Sequence, residues 1–319
     1  MVMLRQPENG QTFLSAPVLD RLDRIDADIV VLGVPYGIPY GMAEVHNQTS
    51  EAPQAIRRQS RRFGYGRFID HWDFDLDGPL LAGKDVRIVD AGDVTGGPLD
   101  IPSVVASATE AVKAIRAGGA LPIILGGDDS VPIPVLRAYA DEAPLTLLQI
   151  DAHIDWRDEV DGVREGYSSP MRRASEMSWI AEMIQVGMRG VGSARESELR
   201  DARAYGSRIV KARDVRRNGV ESSVLSFIPE GRPCFITIDC DGLDPSIMPA
   251  VGAMVPGGLL FDEVADILHG VAARVPVAGL SIVELAPARD LNDLSALTAT
   301  RLILNLIGAA VHSSHFRAT

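Results

Sequence analysis

Two kinds of residue pattern follow one another along the chain. From residue 29 onward, short apolar runs recur, and stretches with apolar positions at helical spacing lie between them. The runs are nearly continuous in hydrophobicity, as expected for parallel strands covered on both faces. This alternation predicts a doubly wound, mostly parallel sheet. The predicted strands are residues 29–33, 86–90, 121–125, 145–150, 184–187, 235–238 and 279–283.

The predicted helices lie between these strands. In residues 103–117 the apolar face consists of Val104, Val105, Ala108, Val112 and Ile115, and the pair Gly118-Gly119 ends the helix. The other predicted helices are residues 53–60, 132–140, 262–273 and 294–307. No repeat or linker divides the chain, so we predict one domain over residues 1–319, with residues 1–27 as an N-terminal extension.

Three acidic phrases each follow directly on a predicted strand. They are Gly-Gly-Asp-Asp-Ser at residues 126–130, Asp-Ala-His-Ile-Asp at 151–155 and Asp-Cys-Asp-Gly-Leu-Asp-Pro at 239–245. Ligands of an open parallel sheet gather beyond the carboxyl ends of its strands, where all three phrases lie. Because clustered carboxylates repel one another, the pattern predicts divalent cations between them.

The spacing within two phrases favours a shared site. In extended backbone, side chains two residues apart share a face, which groups Asp239 with Asp241, and Asp151 with His153 and Asp155. Carboxylates with one imidazole suit Mn²⁺ best, with Ni²⁺ or Zn²⁺ as alternatives. The set has more ligands than one tetrahedral zinc ion binds, and it suits two metal ions with a bridging water. A metal pair lowers the pKa of that water, so the predicted reaction class is metal-assisted hydrolysis.

Composition and charge narrow the choice of partner. Of 319 residues, 46% are hydrophobic and 23% are charged, which is ordinary for a globular protein. The net charge of −12 argues against a nucleic-acid partner and suits a small cationic substrate. Cys234 and Cys240 form no disulfide framework. We see no signal peptide and no apolar run long enough to span a bilayer, so we expect a cytoplasmic protein without a membrane partner.

Taken in order, the motifs resemble those of the ureohydrolases, the family of arginase and agmatinase, in its agmatinase-like branch. Besides the acidic phrases, the resemblance rests on Gly33-Val-Pro35, Pro53-Gln-Ala-Ile-Arg57, Asp90-Ala-Gly-Asp93, Ser281-Ile-Val-Glu-Leu285 and Asn305-Leu-Ile-Gly308. The resemblance implies a three-layer α/β/α sandwich around a mostly parallel sheet of about eight strands, usually in homo-trimers or hexamers. It also implies Mn²⁺-dependent hydrolysis of a guanidinium group to urea and an amine.

The family's site residues carry over by motif position. The matches to metal ligands are Asp151, His153, Asp155, Asp239 and Asp241, with Asp151 and Asp239 bridging two ions. Asp155 would also hydrogen-bond the bridging hydroxide. Glu284 matches the carboxylate that anchors the guanidinium, whose paired donors suit a carboxylate. The alternative for Glu284 is a buried partner for a nearby arginine.

One departure from the family's pattern falls on a metal ligand. The family usually has Gly-Gly-Asp-His-Ser, whose histidine binds metal, and this chain has Asp129 in that place. A carboxylate oxygen and the nearer imidazole nitrogen both lie two bonds from Cβ, so we hypothesise that Asp129 binds metal. The added negative charge should raise the pKa of the bound water, and it opens the choice of metal beyond Mn²⁺.

Another departure lies in residues 165–174, where the family often has a proton-shuttling histidine. The best register places Tyr167 there, and a phenol with a pKa of about 10 is a poor shuttle at neutral pH. We therefore expect Tyr167 to shape the pocket, with loop packing as the alternative. His46 lies in the long loop 35–50, and we expect a surface or capping role for it.

A third change makes one pocket wall less polar. In residues 250–258, Ala-Val-Gly-Ala-Met-Val-Pro-Gly-Gly lacks the charged residue and two hydroxyls of the family's segment, which disfavours the α-amino acid end of arginine. The predicted substrate is therefore a guanidino compound such as agmatine, a guanidino acid or a substituted guanidine. The alternatives are a catalytically silent subunit that supports an active paralogous subunit, and an amidohydrolase that acts on another C–N bond.

Overall fold

The structure, a computed structural model, describes residues 2–41, 48–97, 100–141 and 143–316. His46, with its predicted surface role, lies outside these residues. In the described part, nine strands form one sheet with helices packed on both faces. The three-layer α/β/α prediction is therefore confirmed.

Eight strands of the sheet run parallel, and a ninth is antiparallel at one edge. The strands are β1 (Leu4–Arg5), β2 (Ile29–Val34), β5 (Ile88–Val94), β6 (Leu121–Gly126), β7 (Leu145–Ile150), β8 (Ile180–Met188), β9 (Arg208–Lys211), β10 (Cys234–Asp239) and β11 (Val277–Val283). Their order across the sheet is β1-β5-β2-β6-β11-β10-β7-β8-β9. A separate small hairpin consists of β3 (Trp72–Asp73) and β4 (Gly78–Pro79).

Helices cover the two faces of the sheet in separate layers. One layer contains α1 (Ala52–Ser60), α6 (Ala212–Asn218), α7 (Val220–Ser223), α8 (Phe261–Arg274) and α9 (Leu294–His312). The other contains α2 (Ile101–Ala117), α3 (Pro132–Arg137), α4 (Pro170–Ala174) and α5 (Glu196–Tyr205). Every residue of β2, β6, β7 and β10 is buried between these layers, which explains the continuous apolar runs.

Helix α9 corrects one expectation from the sequence. This helix of 19 residues is long and apolar enough to cross a membrane, since an 18-residue window within it has a mean hydropathy of 1.6, although we expected no such run. In the fold, 83% of that window is buried, and the helix packs against α1 and α8. Its hydrophobicity is that of a core helix, because apolar neighbours surround most of its surface.

A buried ion-pair cluster explains several motif residues of the N-terminal half. Arg57 on α1 is fully buried, and its Nε lies 2.9 Å from Asp90 Oδ2, while its Nη1 lies 2.6 Å from Asp93 Oδ1. Both aspartates belong to β5, so the cluster fastens α1 to the sheet. A β-carbon at Gly33 would lie 1.8 Å from Asp93 Oδ1, so only glycine fits beside this cluster.

Candidate metal centre and pocket

Four adjacent strands place their carboxyl ends at the centre of one sheet edge. Strands β6, β11, β10 and β7 are neighbours in that order and run parallel. The segments that follow them carry Asp129, Glu284, Asp241 and Asp151, and Asp239 ends β10. The expected convergence of the acidic phrases therefore follows from strand order, in agreement with the rule for open parallel sheets.

Two groups of side chains at this edge have the dimensions of a cation site. One group is Asp129, Asp151 and Asp155, and the other is Asp151, His153 and Asp241; in each, one ligand atom per residue lies within 4.8 Å of the others. Asp151 belongs to both groups. His153 Nδ1 lies 3.4 Å from Asp151 Oδ1 and 3.2 Å from Asp241 Oδ2. The structure thus brings five of the six predicted ligands into two adjoining clusters that share one carboxylate.

The sixth predicted ligand, Asp239, lies beside these clusters and outside both. Its Oδ1 accepts a hydrogen bond of 2.8 Å from the backbone N–H of Asp241, and it lines the same pocket. Arg189 donates to the carbonyl oxygens of Asp241, Gly242 and Leu243 at 2.5, 3.1 and 3.1 Å. These bonds fix the turn after β10, and with it the position of the Asp241 carboxylate.

The backbone that carries several candidate ligands is turned rather than extended. We expected extended backbone to place Asp239 and Asp241 on one face. Both line the same pocket, but residues Cys240–Gly242 form a 3₁₀ helix, so only the assumed backbone conformation was wrong. Asp155 and Glu284 have φ values of +44° and +62°, which is uncommon for residues with a side chain. Strained backbone of this kind concentrates at functional sites, and here it turns two carboxylates toward one pocket.

The electrostatics of the cluster favour proton uptake or cation binding. Burial, followed by repulsion from neighbouring carboxylates, raises the pKa of Asp129, Asp151 and Asp239 well above the ordinary value. Burial and the charge of Asp128 raise the pKa of Glu284 to about 8. For His153, burial lowers the pKa, but the hydrogen bond and charge of Asp241 outweigh it, so the pKa is raised. Cations between the carboxylates would reverse these shifts.

Asp129 provides the clearest test of whether the residues fit a metal. Both of its carboxylate oxygens are buried, and neither accepts a hydrogen bond from any described residue. Such an unsatisfied buried carboxylate costs free energy unless a cation or a proton compensates it. An oxygen-rich set with one imidazole suits hard or borderline divalent ions. The residues present therefore fit divalent metal, and Asp129 stands among the candidate ligands.

A chain of buried amides supports the candidate ligands from behind, and it was not foreseen from the sequence. Gln149 Nε2 donates to Asp151 Oδ2 at 2.6 Å and to Asp155 Oδ2 at 3.0 Å. Gln149 Oε1 accepts from Gln185 Nε2 at 2.6 Å, and Gln185 Oε1 accepts from Ser207 Oγ at 2.7 Å. The available signal was a glutamine inside each of two mostly apolar strands, β7 and β8.

A pocket of about 580 Å³ opens over the cluster. Tyr167 lines it, and its ring centroid lies 4.6 Å from that of Tyr40, whose hydroxyl accepts a 2.9 Å hydrogen bond from Ser168 N. The segment between β7 and α4 therefore contributes to the wall, through Tyr167 and Ser168 among others. Glu284 also lines the pocket, and its Oε1 accepts a 2.9 Å hydrogen bond from Asp129 N.

The wall formed by residues 250–258 is only partly as expected. Gly252 and Ala253 line the pocket without polar side chains, but two arginines from other segments, Arg157 and Arg289, lie in the same lining. Arg289 is the last residue of a short 3₁₀ turn, Pro287–Arg289, which comes after β11. The motifs did not indicate these two arginines, because both lie outside the acidic phrases.

Comparison with known proteins places this site in a family. A family model described as the Arginase family matches residues 27–308. The chain belongs to the arginase family. Proclavaminate amidinohydrolase of Streptomyces clavuligerus is 32% identical over 288 residues, which are 88% of this chain and 87% of that protein. Agmatinase of Pyrococcus horikoshii is 32% identical over 292 residues, 91% of this chain and 94% of that protein.

The arginase-family fold is confirmed by a solved structure as well. That of the Streptomyces clavuligerus amidinohydrolase matches with a TM-score of 0.81 and 28% identity, covering 95% of this chain and 97% of that one. The predicted ureohydrolase family and the predicted enzyme class, a hydrolase of linear amidine C–N bonds, are therefore confirmed at the level of the family.

Proposed function

We propose that this arginase-family protein hydrolyses a small guanidino compound to urea and an amine at a centre of two divalent cations. Mn²⁺ is the favoured ion, with Ni²⁺ and Zn²⁺ as alternatives. One observation carries the proposal: two cation-sized clusters share Asp151, and Asp129 in one of them has buried oxygens that no described residue satisfies.

The proposed assignment of ligands follows the two clusters. Asp129, Asp151 and Asp155 would hold one ion, and Asp151, His153 and Asp241 the other. Asp239 would complete the centre as a second bridging carboxylate, because it adjoins Asp241 and lines the pocket. Divalent cations held by these residues would lower the pKa of water and so supply hydroxide near neutral pH.

The remaining site residues would bind and orient the substrate. We assign Glu284 to the guanidinium, because a carboxylate accepts two parallel N–H bonds from that planar group. Its Oε1 already accepts from Asp129 N, which fixes the side chain at the pocket base. Asp155 would hydrogen-bond the attacking oxygen. Tyr167, packed on Tyr40, would shape the wall and has no role in proton transfer in this proposal.

The position of Asp129 supports an active enzyme over a catalytically silent subunit. Its carboxylate lies among the candidate ligands, although it replaces the family's usual histidine. We further propose a cytoplasmic homo-oligomer, a trimer or hexamer, whose size light scattering would measure.

The test is urea release from a panel of guanidino compounds by protein loaded with Mn²⁺, Ni²⁺ or Zn²⁺. We expect turnover by the wild type and a loss of at least about 100-fold in Glu284→Gln. Glutamine keeps an oxygen acceptor for Asp129 N–H, so local folding should persist. Urea release from no compound with any fully loaded metal would refute the proposed function.

A further inference from the structure

The wall of the pocket contains one cation whose charge no described carboxylate balances. Arg289 lines the pocket, and no acidic side chain of the described residues lies within salt-bridge distance of it. Its Nη1 donates to the carbonyl oxygens of Val251 at 3.1 Å and Gly252 at 3.4 Å. In the described part of the chain, Nε and Nη2 donate to no protein group, which leaves one edge of the guanidinium available.

The acidic residues nearest to Arg289 in sequence are engaged elsewhere. Asp290 accepts hydrogen bonds from the backbone N–H groups of Leu291, Ser295 and Ala296, so it caps the start of helix α9. Asp293 pairs with Arg58 at 3.2 Å. Arg289 is therefore left as a positive charge in a pocket whose lining also includes the small residues Gly252, Ala253 and Ala286.

The second arginine of the pocket differs in this respect. Arg157 Nε lies 3.1 Å from Glu198 Oε1, so its charge is neutralised within the protein. An arginine beside a binding cavity attracts an anion most strongly when no internal carboxylate competes for it. Arg289 meets that condition, and Arg157 does not.

Gly252 sets the distance between Arg289 and the proposed guanidinium site. Its carbonyl oxygen accepts from Arg289, and a β-carbon built on it would lie 3.9 Å from Glu284 Oε2. Adding these distances to the intervening bond lengths puts the Arg289 Nη1 and the Glu284 carboxylate at most about 12 Å apart. A short aliphatic chain with a hydrogen bond at each end spans such a gap.

We propose that Arg289 binds the carboxylate of a short ω-guanidino carboxylic acid whose guanidinium lies on Glu284. This inference rests on the proposed function and names the substrate class within it. An amine such as that of agmatine would meet a like charge at Arg289. The apolar wall at residues 250–258 lacks a polar group for the substrate's tail, and Arg289 supplies one from the segment after β11.

Three compounds with one chain length test the inference: 4-guanidinobutanoate, agmatine and n-butylguanidine, whose tails are anionic, cationic and neutral. We expect the wild type to have its highest kcat/KM with 4-guanidinobutanoate. In Arg289→Gln, KM for that acid should rise at least about tenfold with kcat nearly unchanged, because a charge-assisted bond formed equally in ground and transition states is lost. The neutral compound should change little.

Two further variants sharpen the comparison. Arg289→Glu should reverse the order of preference and favour agmatine over 4-guanidinobutanoate. Arg24→Gln removes the same charge from an exposed position that does not line the pocket, and it should leave all three values unchanged. A wild type that prefers agmatine, or an Arg289→Gln variant that weakens the acid and the neutral compound equally, would overturn the inference.

Calorimetric titration of the metal-loaded protein separates this inference from the proposed function. If no compound releases urea but 4-guanidinobutanoate binds to the wild type at least about tenfold more tightly than to Arg289→Gln, the anion site stands and the hydrolase assignment fails. If urea is released but both proteins bind the acid equally, the hydrolase assignment stands and the anion site fails.

Discussion

Gln149 gives the sharpest test of how the protein holds its acidic cluster. Its amide is fully buried, and its Nε2 donates hydrogen bonds of 2.6 and 3.0 Å to the carboxylates of Asp151 and Asp155. Gln149→Met keeps the length of the side chain and removes both of these bonds, together with the bond that Gln149 accepts from Gln185. Without them the two candidate ligands lose the donors that fix their orientation toward the metal.

The expected magnitude follows from the number of ligands that Gln149 contacts. Loss of an outer partner of a metal ligand typically costs about 10–100-fold in metal affinity. That range corresponds to about 1.4–2.7 kcal/mol. Because Gln149 contacts two candidate ligands, and Asp151 belongs to both clusters, we expect a loss near the upper end of the range.

The assay is competition between the protein and a chelator for Mn²⁺ at neutral pH, with thermal unfolding as a check on folding. Ser207→Ala is the matched control, because the Ser207 hydroxyl belongs to the same buried chain but, among the described residues, donates only to Gln185 at its far end. That variant should bind Mn²⁺ as the wild type does. A folded Gln149→Met protein with wild-type Mn²⁺ affinity would refute the reasoning.

Three further predictions concern charge and stability. Asp129→Asn should stabilise the metal-free protein by about 1–3 kcal/mol, because an amide donor replaces a repelling carboxylate, and it should weaken Mn²⁺ binding. Unfolding in urea with and without Mn²⁺ measures both effects. An unchanged Mn²⁺ affinity would count against Asp129 as a ligand. Because burial and Asp128 raise the pKa of Glu284 to about 8, the unfolded chain loses that proton at lower pH than the folded one. The free energy of unfolding of the metal-free protein should therefore fall as pH rises from about 4 to 8, and a free energy that does not change over this range would contradict the assignment. Arg57→Met should cost about 3–5 kcal/mol in urea unfolding, since it leaves Asp90 and Asp93 without their buried cation, and a loss below about 1 kcal/mol would contradict that role.

The central part of the fold was predictable because its strands are buried on both faces. Strand β7, Leu145–Ile150, was predicted at its observed bounds, and the others differ by a few residues at their ends. Polar elements were missed because they lack this burial. Strand β9, Arg208–Lys211, and helix α5, Glu196–Tyr205, expose half or more of their residues, so they carry no continuous apolar run.

The candidate site was predictable as a set of residues but not as a geometry. Strand ends and acidic phrases pointed to Asp151 and Asp239, and the family resemblance pointed to Glu284, without any contact information. The turns that aim them depend on backbone conformations such as the positive φ of Asp155, which sequence spacing does not encode. Arg289 was missed because its importance comes from what surrounds it, namely a pocket wall and the absence of a described carboxylate partner.

The proposed function requires that the carboxylates at the ends of β6, β7 and β10 hold two divalent cations. Elemental analysis of the purified protein, equilibrated with Mn²⁺ and then desalted, counts these ions. We expect two ions per chain in the wild type and a clear loss in Asp151→Asn, because Asp151 belongs to both clusters. A folded wild-type protein that retains no metal, with a thermal unfolding midpoint indifferent to Mn²⁺ and chelator, would contradict it.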